Sequence, residues 1–272
     1  MIKRIFADNF NSLASVGGTI DLKLPPDCLI LDNIIPVDED DEVINFLEIL
    51  FNDFLKNFVL PLRIIPYNNK EGITVEIETD TITYTKILSP DGRTVVMEEL
   101  IDKPTRKSYF RGLDDMDGKP FMMLKKALYS NFSDDIFYVF GNGNCRFGGD
   151  SRRYSCGESD EVIELCNKII PQIFPGVISV EKNGAGVHKL SDSNKTITFE
   201  REVEGGGYNQ ALDIVKGLYL VLNTESIVVF KYWANHLHPI LRNWFMDLFK
   251  DLGKKNRYKG TLLINDYSEL FK

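Results

Sequence analysis

The chain has 272 residues and a formal net charge of −8, from 32 Lys and Arg against 40 Asp and Glu. That length can bury a substantial core in one large domain or two small ones, and 43% apolar with 26% charged residues is the composition of a soluble globular protein. The acidic balance argues against a nonspecific phosphate-backbone binder that lacks a local basic patch. There is no apolar run of about 18 residues, so no membrane span is expected. Met1-Ile2-Lys3-Arg4-Ile5-Phe6 alternates like a strand rather than a signal peptide, so a cytoplasmic protein is expected. Cys28, Cys145, Cys156 and Cys166 form no C-x-x-C pair. Cys145 and Cys156 have no second pair to complete a tetrahedral site, so neither metal nor cofactor is expected.

In chain order, residues 1–31 read as β-structure. Ile20, Leu22 and Leu24 alternate with polar residues, Pro25-Pro26-Asp27 interrupts them, and Cys28-Leu29-Ile30-Leu31 suits a buried strand. Val43, Phe46, Leu47, Leu50, Phe51, Phe54, Leu55 and Phe58 have helical spacing, with acids just ahead of them. Residues 60–101 read as antiparallel strands, with Asp91-Gly92 as a hairpin turn. Residues 102–118 read as an exposed connection, 119–130 as a helix, 136–140 as a buried strand and 141–157 as a Gly-rich loop. A helix is expected over 158–173. Strands follow over 177–203, with a turn at Asn183-Gly184. Gly205-Gly206-Gly207 precedes a helix bearing Ala211, Leu212, Ile214, Val215 and Leu218 on one face. Ile227–Phe230 reads as a buried strand, His238-Pro239 as a helix start and Thr261–Ile264 as the last strand. The alternation of strand and helix predicts a mostly parallel α/β sheet in this half.

Four segments stand in an informative order. Ile5-Phe6-Ala7-Asp8-Asn9-Phe10-Asn11-Ser12-Leu13 opens the chain. Glu204-Gly205-Gly206-Gly207-Tyr208-Asn209-Gln210-Ala211-Leu212 starts a helix. Ile227–Phe230 leads into Lys231-Tyr232-Trp233-Ala234-Asn235-His236-Leu237-His238-Pro239, and Leu262-Leu263-Ile264-Asn265-Asp266 leads into Tyr267-Ser268-Glu269-Leu270-Phe271. This series resembles the ABC-type ATPase heads of the OLD, RecF and SMC-like group. The resemblance maps these segments to the opening strand, the signature motif, the acid-bearing strand with its following loop, and the switch strand. It covers both ends of the chain, and Asn-x-Leu-His-Pro at 235–239 is its most specific piece. Gly148–Tyr154, with Arg152 and Arg153, is a weaker match.

The resemblance implies an α/β, ABC-head-like fold in one head-like domain. A β-rich lobe would span 1–101, a reduced arm 102–135 and an α/β lobe 136–272. It also implies a nucleotide site whose chemistry this sequence lacks. Holding a triphosphate takes a Gly-rich loop with Lys and Ser or Thr. The stretch after Ile30 instead reads Asp38, Glu39, Asp40, Asp41, Glu42, Val43, Ile44, and no Lys stands between Lys23 and Lys56. At about 4 Å and an effective dielectric of about 20, each like-charge pair costs on the order of 4 kcal/mol before screening. The magnesium-holding Asp maps to Lys231, the catalytic Glu to Tyr232, the signature Ser to Gly205 and the switch His to Asp266. A cation replaces the ligand of a cation, and a phenol is a poor base at neutral pH.

The expected function is therefore a scaffold or regulator. It would act through protein contacts, as a homodimer or with an ATPase or nuclease partner, in the DNA-repair or anti-phage setting that the resemblance implies. A nucleotide-binding protein with unorthodox ligands and a DNA-binding head without turnover are the alternatives. Tyr232, Trp233, Asn235, His236 and His238 read as a partner surface or as core and capping residues. Arg152 and Arg153 read as an anion contact or a solvated loop. The acids at 38–42 read either as a solvated helix start or as a substitute for nucleotide and metal that pairs with Lys231. On the second reading, Lys231→Glu lowers the melting temperature; an unchanged melt and unchanged partner binding leave only the first.

Overall fold

The computed structural model describes residues 2–9, 19–32, 71–92, 94–111, 118–133, 137–141, 144–147, 159–190, 195–200, 205–230, 233 and 236–266. The acids at 38–42, the helix read at 43–58 and the strand at 62–64 lie outside them. Within the described residues the strands are β1 (Ile2–Asp8), β2 (Thr19–Lys23), β3 (Cys28–Asp32), β4 (Ile73–Thr79), β5 (Ile82–Leu88), β6 (Val95–Asp102) and β7 (Lys107–Phe110). They continue as β8 (Phe137–Gly141), β9 (Asn144–Phe147), β10 (Val177–Val180), β11 (Gly186–Lys189), β12 (Thr196–Phe199), β13 (Ile227–Phe230) and β14 (Thr261–Asp266). The helices are α1 (Gly118–Ser133), α2 (Asp160–Ile173), α3 (Gly206–Asn223) and α4 (Pro239–Lys254). The protein is α/β. It divides into two compact units, Met1–Pro25 with Ile34–Asp135, and Pro26–Asn33 with Ile136–Lys272.

The first unit is an antiparallel sheet in the order β2-β1-β4-β5-β6-β7, with α1 against β6 and β7. Period-two alternation puts Ile73, Val75 and Ile77 of β4 on the buried face and Glu76 and Glu78 on the other. The stretch 102–118, read as connection, folds back as β7. Arg106 takes a left-handed φ of 57° in the turn, and Lys107–Phe110 then pairs with Glu99–Asp102. That strand is mostly exposed and polar, so it lacks the apolar alternation that marks its neighbours.

The buried face of this sheet carries charge. Glu98 on β6 is paired across the sheet with Lys86 on β5, and both are fully buried. The Glu98 carboxylate accepts hydrogen bonds from Tyr84 Oη at 2.6 Å, from Arg111 Nη1 at 3.2 Å and from Lys125 of α1. Burial opposes its ionisation, but the Lys125 and Tyr84 hydrogen bonds and the Lys125 and Lys86 charges outweigh burial and hold the carboxyl below its ordinary value. Desolvation, opposed by Glu98, pushes Lys86 down to about 8. Phe121 and Leu128 flank Lys125 one turn away on each side and bury α1 against the sheet.

The second unit is a five-stranded sheet in the order β3-β14-β13-β8-β9. Its first four strands are parallel and β9 is antiparallel. The buried β13 reads Ile-Val-Val-Phe, the continuous apolar run expected where helices cover a parallel sheet. The core joins Val162, Cys166 and Ile170 of α2, Ala211, Val215 and Leu218 of α3 and Phe245 and Phe249 of α4 to β13 and β14. Ser159 caps α2, its Oγ accepting from Val162 N at 3.3 Å. A separate three-stranded sheet, β10-β11-β12, packs through β10 on α2.

Removing the Glu98 carboxylate strands buried cations. Glu98→Ala is expected to destabilise the protein by about 3–5 kcal/mol. The carboxyl's folded value lies below its ordinary 4.5, so its contribution is complete above that pH and is lost as pH falls through the folded value. Melting temperature measured against pH should lose part of its acid limb in Glu98→Gln; an unaltered acid limb contradicts this.

Candidate functional site

Parallel pairing brings three strand ends to one edge. In β14–β3 register Asn265 stands beside Leu31 and Asp266 beside Asp32, while Phe230 of β13 stands beside Ile264. The segments after Asp32, Phe230 and Asp266 therefore all leave from the carboxyl edge, where open α/β sheets place their ligands. Lys231 and Tyr232 follow β13 directly and lie outside the described residues, as do Glu204, Asn235, Arg152 and Arg153. Asp266 is the last residue of β14. Its register neighbour Asp32 went unremarked in the sequence because it ends a short apolar run and belongs to no motif.

The Gly205–Gly207 segment is a helix start. Gly205 is the N-cap of α3, with φ −65° and ψ 160°, and its carbonyl accepts from Tyr208 N and Asn209 N at 3.0 and 3.2 Å. The glycines at 206 and 207 are explained by what lies over them. A Cβ on Gly206 would stand 3.4 Å from His236 Cγ, and one on Gly207 would stand 3.0 Å from the His236 carbonyl oxygen. Gln210, one turn on, accepts from His236 N at 2.8 Å. The signature-like and His-Pro segments, far apart in sequence, are thus one packed joint. Among the described residues, nothing lies within 4 Å of a Cβ on Gly205.

Tyr208 fastens this joint from beneath. It is buried, meets Phe174 edge-on at 5.6 Å and donates its hydroxyl to Gly184 O at 3.2 Å. Gly184 itself is left-handed, with φ 82°, in the β10–β11 turn read from Asn183-Gly184.

The His-Pro segment divides between core and surface. Trp233 is 3% exposed and packs edge-on against Phe249 at 5.8 Å, so of its two readings the structure has the core one. Leu237 is buried too. His238 is the N-cap of α4, its Nδ1 accepting from Ile240 N at 3.3 Å with Pro239 in the first turn. His236 is exposed on the joint. Gln210 belongs to the signature-like segment, but its contact with the His236 amide is tertiary and carries no sequence signal. Cys28 stands at the opposite, amino end of β3, where burial first, then the Asp27 charge, push its thiol up to about 12. Among the described residues, no three or more His, Cys, Asp or Glu are grouped to hold a metal. No helix among them is long and apolar enough to cross a membrane.

No family model and no curated protein matches the sequence.

The joint makes opposite predictions for adjacent glycines. Gly205→Ser should fold normally and gain a few tenths of a kcal/mol from its capping hydroxyl. Gly207→Ala should lower the melting temperature and speed hydrogen exchange at the His236 amide. A higher melting temperature for Gly207→Ala contradicts the close contact.

Proposed function

We propose that this chain is a catalytically silent, ABC-head-like protein that works through protein contacts at the carboxyl edge of its parallel sheet. The observation that carries the reading is the strand order β3-β14-β13. A nucleotide site built from a phosphate loop, a switch residue and a pair of acids needs the three strands preceding them to be parallel neighbours. The strands that the resemblance assigns to those roles are parallel neighbours here, with their ends in register. The juxtaposed Gly205–Gly207 and His236–His238 segments give the same reading a second support.

The residues after those strands do not suit ATP. The 38–42 run adds five negative charges where a triphosphate needs cations, and Lys231 stands where magnesium needs a carboxylate. An acidic stretch and a cation are better suited to meeting a charged protein surface than to holding nucleotide. The partner is a second copy or an ATPase or nuclease, in the DNA-repair or anti-phage setting of the heads it resembles.

Isothermal titration with ATP and magnesium should give no binding heat at millimolar nucleotide, and no phosphate should be released on incubation. Saturable binding with turnover contradicts the proposal and turns it into an ATPase with unorthodox ligands.

A further inference from the structure

The second unit has an open cleft of about 550 Å³ bordered by α2, the end of α3 and the turn between α4 and β14. That turn leads into the start of β14 and α3 leads into the start of β13, so the cleft is at the amino edge of the parallel strands. The candidate site is at the other edge.

The turn is tied down. Lys259 N and Gly260 N both donate to Val221 O, at 2.8 and 2.9 Å, and Arg257 N donates to Leu252 O at 3.0 Å. Gly260 is obligatory there, because a Cβ would stand 2.1 Å from Ser226 O. The cleft is therefore preformed, which limits the ordering lost on binding. Leu165, Leu222, Leu252 and Tyr219 line it, all half-buried.

The charges on its two walls differ in engagement. Glu164 holds Lys168 at 2.6 Å, and Glu161 lies in the first turn of α2, where it complements the helix dipole. On the other wall Arg257 and Lys259 are exposed and make no ion pair or side-chain hydrogen bond among the described residues. They close a stretch that also holds Lys250, Lys254 and Lys255 against Asp251 alone, in a chain of net charge −8.

We propose that this cleft docks an acidic segment of a partner protein that carries leucine or phenylalanine. The apolar side chain would seat among the three leucines, with neighbouring carboxylates facing Arg257 and Lys259. Three leucines in the lining favour an apolar side chain over a base. The inference does not rest on the ATPase-like reading.

Fluorescence anisotropy with a fluorescein-labelled peptide alternating aspartate or glutamate with leucine and phenylalanine tests it. Three further probes accompany that peptide: one with lysine for the acids, one with serine for the apolar residues, and a single-stranded oligonucleotide. The acidic, apolar peptide alone should bind saturably, and Arg257→Glu with Lys259→Glu should weaken it by about tenfold without changing the melting temperature. Should the double variant melt lower, Arg257→Gln and Lys259→Gln singly should still weaken binding. Three results overturn the proposal: no saturable binding, equal binding of the serine peptide or the oligonucleotide, or an affinity indifferent to these substitutions.

Discussion

The pairing of Cys28–Asp32 with Leu262–Asp266 is the constraint on which the second unit's edge depends. Strand β3 comes between β2 and β4 in sequence, and both of those belong to the other unit's sheet. The chain passes from one unit to the other after Pro25 and returns after Asn33. Pro25-Pro26 ends the antiparallel pairing, since proline lacks the ladder donor. Asp27 then starts the parallel one: its carbonyl accepts from Leu262 N at 2.9 Å and its carboxylate from Cys28 N at 2.7 Å. Without that pairing, the segment after Asp32 would not start beside the ends of β13 and β14.

Charge is used differently in the two units. In the first, buried charge is structural. Glu98 gathers Lys125, Arg111 and Tyr84 between sheet and helix, and its oxygens are occupied by those contacts. Such a cluster is weak as a source of net stability but severe when broken, so it specifies how α1 packs. In the second unit the distinctive charges lie at the sheet's two edges. Strands β3 and β14 end at Asp32 and Asp266 on the carboxyl edge, and the turn that bears Arg257 and Lys259 is at the amino edge. A parallel sheet with helical crossovers collects loops at both edges, and surface chemistry follows.

Periodicity made much of the second unit legible. The apolar runs at 136–140, 227–230 and 261–264, alternating with amphipathic helices, already imply a parallel sheet, and the hairpin at Asn183-Gly184 is where its dipeptide puts it. Less legible were β7 and β9, short strands in polar or Gly-rich stretches with no alternation to read. The allotment of residues 28–32 to a β-rich lobe could not be corrected from sequence, because a four-residue apolar run does not say which sheet it joins. At the candidate site, the His238 cap followed from His-Pro chemistry. The reason for Gly206 and Gly207 did not, since the close approach of His236 is a tertiary fact. The burial of Lys86, Glu98 and Lys125 has no sequence signal, because it takes the sheet face and α1 together to create it.

The proposed function requires that the carboxyl edge of the parallel sheet holds no nucleotide. Hydrogen–deuterium exchange at the carboxyl ends of β3, β13 and β14, with and without millimolar ATP and magnesium, tests it where the ligand would sit. Unchanged exchange at residues 31–32, 230 and 264–266 is the result expected. Nucleotide-dependent protection of those amides would contradict the account.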